Sequence, residues 1–202
     1  MKKRIKSVLC LVLMLALSLC CTAPSLATSA SAQSPLDKGS ATAWEAVPLE
    51  EAQAVDLLAL RLPLFREEAV AVYNKITSEG GSVVEARTHY QVGCGYAVTV
   101  NCLAAILPQE GGGWRIEVLD LWTLASGSGS YTWTEFYVYA DIPEPNPQNI
   151  RLMARGTLTV EAAVDNPADW EAAGFAGSVP QDDTICYSKT FSIDQDVTTA
   201  IP

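Results

Sequence analysis

The chain has 202 residues, 49% of them hydrophobic and 18% charged, and carries a formal net charge of −10. That length suits one domain once any targeting segment is removed. The acidity argues against nucleic-acid binding and against adhesion to anionic membranes, because both present negative charge to the protein.

The N-terminus reads as a secretory signal peptide over 1–32. Lys2, Lys3, Arg4 and Lys6 form a basic start, and Ser7 to Leu19 is uncharged and mostly apolar. This run is about thirteen residues, the length of a signal h-region and too short to span a bilayer. Ala30-Ser31-Ala32 supplies the small-residue cleavage pattern. The alternative is a lipid anchor through Cys20 or Cys21, but the small residue such signals carry before the cysteine is missing. After cleavage, nine Lys and Arg remain against 23 Asp and Glu, a net charge of −14. No other apolar run is long enough to cross a membrane, so an extracellular, soluble mature chain is expected.

Gln33 to Ala46 is polar, rich in small residues and unpatterned, and is expected to be a flexible leader. A single mainly β domain is expected over 47–202. It opens with helical signals. Pro48, Glu50 and Glu51 resemble a first helical turn, with acid near the positive end of the dipole. Leu49, Ala52, Val55, Leu58, Ala59 and Leu62 then recur at helical spacing, and Pro63 ends the run. For 66–78 a second helix is preferred to a strand, with Ala69, Val70, Tyr73 and Ile76 on its buried face.

Beyond Gly80-Gly81 the period changes to two. Val84, Ala86, Thr88, Tyr90 and Val92 share one face of a strand, and Glu85, Arg87, His89 and Gln91 share the other. Tyr96, Val98, Val100, Cys102, Ala104 and Ile106 form the apolar face of the next strand. A three-residue loop, Gly93-Cys94-Gly95, pairs Val92 with Tyr96, Tyr90 with Val98, Thr88 with Val100 and Ala86 with Cys102, so every apolar position agrees. The only histidine in the chain, His89, then faces outward beside Thr99, Cys94 sits at the turn and Cys102 faces inward. The three diverge, so this stretch is a hairpin rather than a Cys/His or metal site. Cys94 and Cys102 lie too far apart along one arm to bridge each other. Whether Cys186 bridges either of them is open.

Further strands are expected at 114–124, 131–142, 150–164 and 184–193, with a helical turn or two at 166–175 capped by Asn166. About six strands joined by turn signals predict an antiparallel β-sandwich or strongly curved sheet, with one or two N-terminal helices. Asp194-Gln195-Asp196 reads as a solvated terminus.

Chemical motifs are thin, no cofactor is implied, and an enzyme is the less favoured reading. Glu117, Asp120 and Glu135 are available to a carboxylate-dependent extracellular hydrolase, but a chain with 23 acidic residues always offers such sets. One feature rises above background: Tyr131, Trp133, Tyr137 and Tyr139 alternate along one strand, with Glu135 among them. This row reads first as a core face. As a functional alternative it is an exposed aromatic platform for a glycan, peptide or protein surface partner. The expectation is therefore a secreted, non-catalytic binding domain with these four residues as its site.

Overall fold

A computed structural model describes residues 41–43, 46–143, 149–163, 167–178 and 184–199. The expected signal peptide, most of the expected leader and the Asn166 cap lie outside these residues. The described elements run β1 (Ala41–Ala43), β2 (Val47–Pro48), α1 (Glu51–Arg61), α2 (Arg66–Ser78), β3 (Ser82–Gly93), β4 (Tyr96–Pro108), β5 (Trp114–Ser126), β6 (Ser130–Asp141), β7 (Asn149–Ala163), α3 (Pro167–Ala172), β8 (Ala176–Gly177) and β9 (Thr184–Thr198).

The protein is mainly β, as the alternating patterns predict, and its strands form two antiparallel sheets packed as a sandwich. The first is ordered β1-β3-β4-β5, with β2 also on β3; the second is ordered β6-β7-β9-β8. Their facing sides make one core. Ala86, Tyr90, Val98, Val100 and Cys102 from the first sheet meet Leu152, Leu158, Val160, Tyr187 and Phe191 from the second. Tyr90 stacks on Phe191 with ring centroids 4.7 Å apart. The far side of the first sheet is also covered. Val83, Leu103, Ala105 and Leu107 pack against Ala54, Val55 and Leu58 of α1 and Ala69 and Ile76 of α2. The layers are thus helices, sheet, sheet.

Most elements fall where the patterns place them, and 66–78 is helical. Three corrections concern their ends. Pro48 pairs with Val84 in β2, so the first helix starts at Glu51. The leader expected over 33–46 is not free to its end: Ala41–Ala43 pair with Tyr90, His89 and Thr88, and Ala46 is buried and bridged to Thr199. Three small residues carry too little hydrophobic contrast to reveal a strand that is held by backbone bonds. Asp194 is exposed, as expected, but it does not stand at a terminus. It lies within β9 and makes a two-pronged ion pair with Arg151 on β7, both bonds 2.7 Å.

The β3–β4 hairpin keeps the expected pairs Tyr90–Val98, Thr88–Val100 and Ala86–Cys102. Its tip differs. Gly93, not Val92, faces Tyr96, and a bulge between Gln91 and Gly93 absorbs the extra residue. The turn is therefore Cys94-Gly95, with φ of 50° and 80°, the two left-handed positions of a tight two-residue hairpin. The ammonium of Lys189, itself buried, takes up the bulge. It donates to the Val92 carbonyl at 3.1 Å and to the Ala173 carbonyl after α3 at 2.8 Å.

Candidate functional site

The four aromatic residues expected to share one face do not. A bulge between Glu135 and Tyr137 shifts the pairing of β6 with β7 and reverses the alternation at Phe136. Before it, Tyr131 and Trp133 turn toward the sandwich core; after it, Val138 and Ala140 do. Trp133 donates its indole N–H to Thr123 Oγ1 at 2.8 Å and lies 5.2 Å from the Phe191 ring. Tyr131 meets the Tyr96 ring edge-on and donates to the Ala125 carbonyl. Tyr137 and Tyr139 face solvent with Phe136. The structure thus splits the row into two core residues and two exposed ones, and no four-residue platform forms.

The carboxylates do not converge. Glu117 pairs with Arg115, Asp120 with Arg61, and Glu135 accepts from Thr123. Cys102 is buried in the core, and burial pushes its thiol up to about 12. Cys94 is exposed at the turn, 3.6 Å from the Asp169 carbonyl, and Cys186 is exposed on the second sheet. Among the described residues all three cysteines are free, and no His, Cys, Asp and Glu cluster could hold a metal.

What brings side chains together is the helix-side face of the first sheet. The register sets three rows across β3, β4 and β5: Glu85–Leu103–Asp120, Arg87–Asn101–Trp122 and His89–Thr99–Leu124. In the last two rows the central strand carries short polar residues and its neighbours carry long ones, so the sheet is hollowed along β4. Helix α1 closes one side. Its buried stripe Ala54, Val55 and Leu58 packs on the sheet, which leaves Leu57, Leu60 and Arg61 bordering the hollow. The result is a groove of about 460 Å³, within the usual size of a small-molecule site. A second cavity of about 440 Å³ shares Leu57, Leu60, Glu85 and Arg87 with it and continues along α1.

The polar groups of the groove are largely engaged with one another. Arg61 pairs with Asp120 at 2.6 Å, and its guanidinium carbon lies 4.0 Å from the centre of the Trp122 ring. Arg87 pairs with Glu85, whose side chain is only 9% exposed. His89 is not simply outward, as expected, but half-buried at the groove wall. Its Nδ1 is 3.1 Å from Thr99 Oγ1, and its Nε2 is 2.8 Å from Gln91 Nε2. An amide nitrogen only donates, so Nε2 accepts and Nδ1 carries the proton to Thr99. Asn101 is only 3% exposed, and among the described residues its Nδ2 has no partner. At the mouth, Leu60 and Leu124 are 74% and 58% exposed.

Alternation alone assigns Glu85, Arg87 and His89 to solvent, because nothing in β3 reveals that helices cover its outer face. The signal was in β4. Tyr96–Leu107 is apolar on both faces except at Thr99 and Asn101, the mark of a strand buried on both sides with two polar residues left over for a purpose. Comparison with family models, curated proteins and solved structures finds no match for this chain.

Proposed function

We propose that this is a secreted, non-catalytic binding domain that holds a small amphipathic ligand in the groove between α1 and the outer face of β3–β5. The observation that carries this reading is the groove itself: four apolar side chains, Leu57, Leu60, Trp122 and Leu124, around a polar strip of Thr99 and Asn101. Such a lining suits a ligand with an apolar body and few polar groups better than a glycan, which would ask for many more hydrogen-bonding partners. Arg61 and Arg87, which also line the groove, are each paired with a carboxylate, Asp120 and Glu85. Secretion is supported by the basic start, the apolar run and the Ala30-Ser31-Ala32 pattern.

The test uses Nile red, a neutral dye that brightens in apolar sites. The wild-type protein is expected to bind it saturably. Leu57→Arg and Trp122→Ala are expected to weaken binding at least tenfold with the far-UV spectrum unchanged. Binding that both variants leave intact would move the site elsewhere and overturn the reading.

A further inference from the structure

Four buried polar atoms have no hydrogen-bond partner among the described residues: Ser82 Oγ, Thr88 Oγ1, Asn101 Nδ2 and Tyr187 Oη. Of these, only Asn101 belongs to a residue that lines the groove. An unpartnered buried donor is costly, and a ligand oxygen that accepts from it recovers that cost. Asn101 lines the groove with its amide nitrogen covered, and the terminal torsion of asparagine is soft enough to present that nitrogen to a ligand. Its neighbours in the cross-strand row decide what kind of oxygen. On one side, Arg87 is 46% exposed along its side chain. Its single partner among the ion pairs, Glu85, occupies part of a five-donor fork. On the other side stands Trp122, followed by Leu124 in the next row.

From this row we infer that the ligand is a monocarboxylic acid with an apolar tail. One carboxylate oxygen accepts from Asn101 Nδ2 and the other from the Arg87 guanidinium, while the tail lies over Trp122 and Leu124 beneath Leu57 and Leu60. A carboxylate has two acceptor oxygens to match two donors of different type, and the guanidinium fork is shaped for it. A phosphate dianion fits less well, because the Glu85 carboxylate beside Arg87 repels two negative charges more than one and Arg61 is already paired with Asp120. An alcohol offers one oxygen and no charge. This inference rests on the groove being the ligand site.

The experiment is calorimetric titration of the protein with octanoate and with 1-octanol, which share a tail and differ in the head. Octanoate is expected to bind at least tenfold more tightly. Asn101→Asp, which sets a second carboxylate against the ligand, is expected to weaken octanoate at least tenfold and octanol less than threefold. Should that variant fail to fold, Glu85→Gln with Arg87→Gln keeps the local net charge and removes the fork, with the same expected loss of octanoate. Equal binding of both probes, unchanged in the variants that fold, would overturn the carboxylate inference and leave the groove reading standing. Failure of both probes together with Nile red would overturn both.

Discussion

Replacing Trp133 with alanine decides between the two readings of the aromatic row. The indole touches the sandwich core, donates to Thr123 and sits 5.2 Å from Phe191. Truncating a buried tryptophan to alanine costs about 3–5 kcal/mol. Trp133 is only partly buried, which pulls the value down. The lost hydrogen bond contributes about 1 kcal/mol and the ring pair about 0.5–1.5 kcal/mol. A loss of about 3 kcal/mol is therefore expected. For a domain of this size that lowers the melting temperature by about 6–12 °C. Gly156 supplies an internal control. A Cβ added there would lie 2.5 Å from the Trp133 ring and 2.5 Å from the Thr134 carbonyl oxygen. Gly156→Ala is therefore expected to cost about 1–3 kcal/mol by overpacking. Combined with Trp133→Ala it should cost less than the two losses added, because the ring clash is gone. Tyr139→Ala, at an exposed position, should stay within about 0.5 kcal/mol. Urea denaturation of the four variants provides the readout. A Trp133→Ala loss below about 1 kcal/mol would refute the core placement and restore the platform.

Three further outcomes are expected. Burial holds the Cys102 thiol protonated up to about 12, whereas in the unfolded chain it ionises near its ordinary value of 9.0. The folded state thus binds the extra proton between those values, so stability falls as pH rises through that window, by roughly 1 kcal/mol or more per pH unit. Denaturation of wild type and Cys102→Ala from pH 8 to 11 should show the wild type losing more, and parallel curves would contradict the burial argument. Lys189→Met removes the ammonium that the Val92 and Ala173 carbonyls accept from, and is expected to destabilise by about 1–3 kcal/mol in thermal melts; stabilisation would mean that the cost of burying the charge exceeds its bonds. Mass spectrometry of secreted protein should give an N-terminus near Gln33, and a diacylglycerol on Cys20 or Cys21 would make the protein a lipoprotein instead.

Legibility in the sequence followed the range of the interactions. Alternation set by one buried face is local, so β3, β4 and their pairing from Ala86–Cys102 to Tyr90–Val98 could be read directly. The bulges at Val92 and Phe136 could not. At Phe136 one extra residue reverses the faces of β6, and every face assignment beyond it fails by one step. Nothing in YTWTEFYVYA signals that step, since aromatic and threonine residues suit both faces. At Val92 the bulge is held by Lys189, 97 residues away. The groove was hidden for the same reason. It needs α1 laid on the sheet, and the leucines at 57 and 60 read as ordinary helix residues until Trp122 and Leu124 stand opposite them. Asn101 was passed over although it carried a signal: a lone amide in an apolar strand asks for a partner, and among the described residues its nitrogen finds none.

The claim that the groove is the ligand site is tested most directly by amide chemical shifts on titration with octanoate. The largest shifts are expected at Arg87, Thr99, Asn101 and Trp122, spread across three neighbouring strands that only the groove brings together. Shifts centred on Phe136, Tyr137 and Tyr139, with those four amides unmoved, would contradict it and place binding on the exposed aromatic residues of the second sheet.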